Sequence, residues 1–238
     1  MKYWKYIIFL FPVVLLFLAI PQAAGQDFRK KAALTVSGKG MLRLMEQTVE
    51  RGLESPKVSL TFDDGPNRKY TPLLLDGLKE RGIHATFFLM GKNIPGNEDL
   101  VERIQADGHL IGNHTYNHVQ LDRVSERTAK EEIEKTSNEI FKITGTYPSY
   151  VRPPFGAWRK NLDFSVTMFP VFWDIDTLDW NTKNPDSISQ IVESQIYDGA
   201  IILMHDGFKT SVDAALRIAD ELSGKGYDFV TVDQLLIS

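Results

Sequence analysis

From Val58 to the C-terminus, short apolar runs alternate with segments of helical periodicity, and this alternation limits the fold more than any other feature of the chain. The runs VSLTF (58–62), HATFFLM (84–90), HLIGNH (109–114), YVRPP (150–154), VFWDID (171–176), AIILMH (200–205) and DFVTV (228–232) have strand character. Helical patterns lie near 70–82, 98–107, 126–144, 186–197 and 211–224. The clearest, 126–144, places Ala129, Ile133, Ile140 and Ile143 at helical spacing and stops at Gly145. Asn184-Pro185 offers a cap and a first position to the helix that follows. Strands separated by helices run parallel, joined by right-handed crossovers. About seven such units predict an α/β fold: an irregular or incomplete (β/α) barrel rather than a doubly wound open sheet.

Polar residues fall where such a barrel would use them. Asp63-Asp64, His114, Arg152, Asp176 and His205 each end a candidate strand. The C-terminal ends of barrel strands form one mouth, and chemistry gathers there. Asp63-Asp64-Gly65-Pro66 taken alone reads as a turn, since Asp, Gly and Pro all favour turns. The segment NHTYNH (113–118) changes that reading. On a helical turn, His114 and His118 would share a face and reach one metal ion. Two imidazoles and one carboxylate make a three-ligand site with an open position. A second carboxylate beside the ligand could then serve as a base to an activated water.

Five segments in order, TFDDGP (61–66), HTYNH (114–118), RPPFG (152–156), DTLDW (176–180) and ILMHD (202–206), resemble the motifs of the polysaccharide deacetylases of carbohydrate esterase family four. The resemblance spans about residues 57–236. It implies a distorted (β/α) barrel that removes acetyl groups from a glycan with the help of a divalent metal, zinc by preference or cobalt. By that resemblance Asp64, His114 and His118 are the metal ligands, and Asp63 is the base that deprotonates a metal-bound water. Arg152 pairs with the base; a nearby guanidinium favours the ionised carboxylate. His205 is the acid that protonates the leaving amine, held by Asp179. The backbone N–H of Phe155 faces the developing oxyanion, and Pro154 beside it lines the substrate groove, in a loop stiffened by Pro153 and Pro154. Leu203 lines the acetyl-methyl pocket, and Trp180 forms an aromatic wall of the groove. Phe155 stands where many relatives carry tyrosine. His84 and His109 match no motif and read as structural, and Trp158 reads as loop packing.

The N-terminus completes the picture. Lys2 and Lys5 precede the apolar run 7–20, and small residues follow in PQAAGQ (21–26). This pattern reads as a secretory signal, or as an uncleaved anchor if Tyr3, Trp4 and Tyr6 extend the span. Residues 27–56 read as a spacer with a short amphipathic helix, and 57–238 as the catalytic domain. Residues 1–26 hold two of the 27 basic residues and none of the 31 acidic ones, so the remainder carries a net −6. An acidic chain argues against a nucleic-acid partner. The absence of cysteine excludes disulfides and thiolate metal sites. The expected protein is a monomer outside the cytoplasm that acts on an acetylated cell-wall glycan, peptidoglycan first. Chitooligosaccharide and acetyl-xylan are the alternative substrates, and a non-catalytic glycan-binding protein is the alternative class.

Overall fold

A computed structural model of the protein describes residues 54–158 and 168–237. The anticipated signal or anchor and the spacer helix lie outside these residues. Among the described residues eight strands form one sheet, and every pairing is parallel: β1 (Lys57–Asp63), β2 (Thr86–Leu89), β3 (Leu110–Asn113), β4 (Tyr150–Val151), β5 (Phe169–Pro170), β6 (Ile175–Asp176), β7 (Ala200–His205) and β8 (Asp228–Phe229). Their spatial order is β5-β4-β3-β2-β1-β7-β6. Read as 6-7-1-2-3-4-5, this is the cyclic order of a barrel, with no ladder between β5 and β6 among the described residues. The expected distorted barrel is therefore present and open on one side. β8 pairs with β1 at Lys57 and Val58, before β2 begins its own pairing with β1 at Thr61.

The α-helices of the described residues are α1 (Thr71–Glu80), α2 (Glu98–Ala106), α3 (Glu126–Thr144), α4 (Asp179–Thr182), α5 (Pro185–Gln195), α6 (Lys209–Gly224) and α7 (Val232–Ile237). α3 has the expected bounds because both its ends are chemically marked. Ser125 accepts from the Thr128 N–H at its start, and Gly145 closes it at a left-handed φ of 71°. Asn184 caps α5 by accepting from Asp186 and Ser187 N–H groups, with Pro185 in the first turn. No helix among the described residues is long and apolar enough to cross a membrane.

Strand alternation divides β1 and β7 into two faces. Val58, Leu60 and Phe62, with Ala200, Ile202 and Met204, pack outward in the main core with Leu74, Leu78, Val192 and Ile218 of the helices. Ser59, Thr61 and Asp63, with Ile201, Leu203 and His205, take the inward face. The register sets Asp63 directly opposite His205. The order of these strands thus determines what the barrel mouth contains.

The run 171–176, expected as one strand, is not one. Only Ile175–Asp176 is strand, and Phe169–Pro170 pairs with β4 ahead of it. Val171 N–H donates to Val151 on the β4 side at 2.8 Å, whereas Asp174 N–H donates to Ile201 of β7 at 2.9 Å. This segment crosses the barrel opening, so its hydrogen bonds go to two different strands and no continuous ladder forms.

Gly112 on β3 permits close contact with β2. A Cβ there would lie 2.4 Å from the ring of the fully buried Phe88. Gly112→Ala is expected to cost about 1–3 kcal/mol through overpacking. Urea unfolding at unchanged m-value measures it; a midpoint equal to wild type would show that the ring has room to move.

Candidate active site

Asp63 ends β1 on its inward face and is 3% exposed. Strict alternation would send Asp64 to the opposite face. Instead Asp64 has a φ of 72°, a left-handed conformation that aspartate tolerates better than most residues. The chain turns there, and both carboxylates border one cleft of about 460 Å³. Gly65 follows directly and must lack a side chain: a Cβ would lie 2.7 Å from the Asp206 carboxylate beneath it. Burial pushes the Asp206 carboxyl up to about 7, against a hydrogen bond donated by Thr71 that favours its charge.

His114 follows β3, and its Nδ1 lies 2.7 Å from the Arg152 carbonyl oxygen. A carbonyl only accepts, so Nδ1 carries the proton and Nε2 presents a lone pair. That Nε2 sits 3.5 Å from Asp64 Oδ1, and His118 Nε2 sits 3.5 Å from the same oxygen. Asp64 Oδ1 is buried and has no hydrogen-bond partner among the described residues. Burial, and then His114, pull the His118 imidazole below its ordinary pKa, which favours the neutral, ligating form. Acceptors thus converge without a proton between them, and a cation relieves that arrangement. Tetrahedral zinc with ligands at ~2.0–2.1 Å separates its ligand atoms by ~3.3–3.4 Å, close to the spacing found. Asp64, His114 and His118 therefore fit a divalent metal as a candidate site. The fit does not come from a helical turn. Thr115 and His118 have φ of 61° and 63°, so the expected helical arrangement of the pair is replaced by an irregular loop.

Arg152, just after β4, is wholly buried. Its Nη1 donates to Asp63 Oδ1 at 2.8 Å and to Thr61 Oγ1 at 2.6 Å, and Nη2 donates to the Phe172 carbonyl at 3.2 Å. Its guanidinium lies 4.2 Å from the Phe88 ring centroid. Burial pulls the Arg152 pKa down from its ordinary value, and Asp63 opposes this by charge and hydrogen bonding.

Across the cleft, His205 Nδ1 donates to Asp179 Oδ1 at 2.8 Å, and the second Asp179 oxygen accepts from the His205 backbone N–H at 2.8 Å. Asp179 is wholly buried. Burial alone would lower the His205 pKa; the hydrogen bond and charge of Asp179, with Asp63 and Asp64 behind it, outweigh burial and raise it to about 9. The imidazole is accordingly protonated at neutral pH.

The cleft is also lined by Pro153, Phe155, Trp180 and Leu203. Phe155, at a φ of 59°, sets its ring edge-on to His118 with centroids 4.7 Å apart. Leu203 is buried at the floor, and Trp180 is half exposed on the wall. Pro154 departs from expectation: it is buried behind the loop and Pro153 takes the lining position. Trp173 and Asp176 also line the cleft. Asp176 ended a candidate strand in the sequence but matched no assigned role; Trp173 left no signal, since its position depends on the segment that crosses the barrel opening. Trp158 packs against the cluster around Leu121, Ile133 and Val151, as expected. His109 Nδ1 accepts from Ala85 N–H at 3.1 Å at the far end of the strands, and its ring meets His84 edge-on.

Residues 50–169 match the family model described as polysaccharide deacetylase. The peptidoglycan-N-acetylglucosamine deacetylase PgdA of Listeria monocytogenes is 37% identical over 187 residues, 79% of this chain and 40% of that protein. The peptidoglycan-N-acetylmuramic acid deacetylase PdaC of Bacillus subtilis is 40% identical over 178 residues, 75% of this chain and 38% of its own length. The solved structure of PdaC superposes with a TM-score of 0.74, covering 76% of this chain and 90% of that one. A peptidoglycan-N-acetylglucosamine deacetylase of Bacillus cereus is 37% identical over 190 residues, 75% of this chain and 68% of its own. The chain thus spans about two fifths of the length of PgdA and PdaC.

The buried Arg152–Asp63 pair yields a stability test. Arg152→Met leaves Asp63 buried without its partner and is expected to cost about 3–5 kcal/mol. Adding Asp63→Asn to Arg152→Met should restore part of that loss. A double-mutant cycle by chemical unfolding measures the coupling, and strictly additive effects would contradict the pairing.

Proposed function

This chain belongs to the polysaccharide deacetylase family, and we propose that it is a metal-dependent N-deacetylase of a cell-wall glycan, with peptidoglycan as substrate. One observation carries the reading: an Arg-held carboxylate and an Asp-held imidazolium face each other across a cleft that also holds the Asp64–His114–His118 donor set. Relatives named as peptidoglycan deacetylases support the substrate. Asp64, His114 and His118 would hold the cation, zinc in our reading. When bound, it supplies Lewis acidity that lowers the pKa of the attacking water.

The remaining chemistry belongs to the side chains. Asp63 accepts a proton from the water as its oxygen attacks the acetyl carbonyl carbon. Arg152 holds the Asp63 carboxylate in place by its hydrogen bond and opposite charge, ready to act as base. The Phe155 backbone N–H would meet the charge that develops on the acetyl oxygen. His205 gives its proton to the departing nitrogen as the carbon–nitrogen bond breaks, leaving acetate and a free amine. Leu203 offers an apolar floor to the methyl group, and Trp180 a flat face to the sugar ring. Such a substrate lies outside the cytoplasm, and the basic and apolar start of the chain supports export.

Asp63→Asn is expected to retain zinc while acetate release from peptidoglycan falls by about 10²–10⁴-fold. Elemental analysis beside an acetate assay checks both parts; near-normal turnover would remove Asp63 from the base role. Acetate release from peptidoglycan, chitooligosaccharide and acetyl-xylan, with zinc, cobalt or chelator, identifies the substrate. Metal-independent release, or none from any of the three, would defeat the proposal.

The acid has its own pH signature. His205 must be protonated to act, so activity should hold below its pKa and decline as pH rises through about 9. Asp179→Asn removes the partner that raises this pKa, so the alkaline limb should move to lower pH. A kcat profile with an unmoved limb in Asp179→Asn would show that another group sets it.

A further inference from the structure

The two imidazoles of the candidate metal site sit on a loop without helical hydrogen bonds, so something else must hold that loop. Its carbonyls are satisfied from one side: Gly91 N–H donates to the Thr115 carbonyl at 2.9 Å, and Lys92 N–H to the Tyr116 carbonyl at 3.0 Å. Its amides face the other way. Thr115 N–H donates to Asn113 Oδ1 at 2.8 Å. The next two amides both go to one carboxylate: Glu132 Oε2 accepts from Tyr116 N–H at 3.0 Å and from Asn117 N–H at 2.6 Å. Glu132 Oε1 accepts from the Asn117 side-chain amide at 2.7 Å. Glu132 lies on α3, is only 9% exposed, and forms no ion pair among the described residues.

We propose that Glu132 is a positioning residue for the metal site: its carboxylate holds the Tyr116–Asn117 peptide and thereby sets the separation and angle of His114 and His118. A buried carboxylate without a cation partner is costly unless its lone pairs are filled. Here the three N–H donors of one loop fill them. The clamp is short and surrounded. The Tyr116 ring lies over Gly91, where a Cβ would come within 2.4 Å of it, and Lys135 Nζ sits 3.5 Å from the ring centroid. Asn113 bonds the Ile133 carbonyl and Ser137 Oγ, so the loop is tied to α3 at both ends. Removing the Glu132 carboxylate frees the peptide between the two histidines while leaving every metal-ligating atom in the chain. Groups that orient ligands in this way influence metal affinity by about 10–100-fold when lost.

The inference rests on the proposal that Asp64, His114 and His118 bind a divalent metal, and the test separates the two. Zinc affinity is measured by chelator competition on wild type, Glu132→Ala, Glu132→Gln and Ile140→Ala. Glu132→Ala should raise the zinc Kd about 10–100-fold. Glu132→Gln keeps one acceptor oxygen and should fall between it and wild type. Ile140→Ala hollows the core side of the same helix, so it lowers Tm without moving the Kd. A Glu132→Ala Kd within twofold of wild type, or an equal rise in Ile140→Ala, overturns the positioning role. Wild type that binds no zinc overturns the metal proposal itself. Amide exchange in the wild-type protein needs no variant: Tyr116 and Asn117 N–H groups should be protected as α3 is, and fast exchange at both would also overturn the clamp.

Discussion

A whole guanidinium without solvent is the constraint around which the barrel mouth is organised. Arg152 is wholly buried, and such a charge is stable only with a partner and with most of its donors used. Asp63 and Thr61 of β1 and the Phe172 carbonyl take those donors. The Phe88 ring of β2 covers its face. Its own backbone carbonyl fixes the tautomer of His114. One residue after β4 thereby ties β1, β2, the loop after β3 and the segment crossing the barrel opening. Each of these must be in place for the charge to be tolerated. The proposed base and one proposed ligand are oriented by that same requirement.

The opposite wall follows a different rule. Asp179 has both oxygens occupied by His205, one by its ring and one by its backbone N–H. The imidazole can neither rotate nor slide while both bonds hold. The two halves therefore hold their groups in fixed places: a carboxylate bonded to Arg152, and an imidazole kept protonated by Asp179. A carboxylate acceptor and a protonated imidazole lining one cleft are what an acid–base reaction at neutral pH requires.

Much of this was legible in the sequence, for reasons that can be stated residue by residue. The strand and helix alternation showed because each core-facing strand and helix buries a periodic apolar set, as Val58, Leu60 and Phe62 do. α3 could be bounded because Ser125 and Gly145 act locally. Polar residues at five strand ends converged because parallel strands share one mouth. What stayed hidden depends on distant partners. The split of 171–176 follows from hydrogen bonds to β4 and β7, which no local pattern records. The histidine pair suggested a helical turn, but the loop conformation is held by hydrogen bonds from other elements. Glu132 sits in an ordinary amphipathic helix, with nothing nearby to mark that it faces a loop 15 residues before it.

The pairing of Asp63 with His205 across adjacent parallel strands has a consequence for how such an enzyme can change. The distance between the proposed proton acceptor and proton donor is inherited from a sheet register, not from the choice of loop. Phe155, Trp173 and Trp180, which line the same cleft, come from segments that follow or bridge strands. Substitutions in those segments can alter which polymer is accepted while the proton path keeps its length. Substrate range and reaction chemistry are thus free to diverge at different speeds within one barrel.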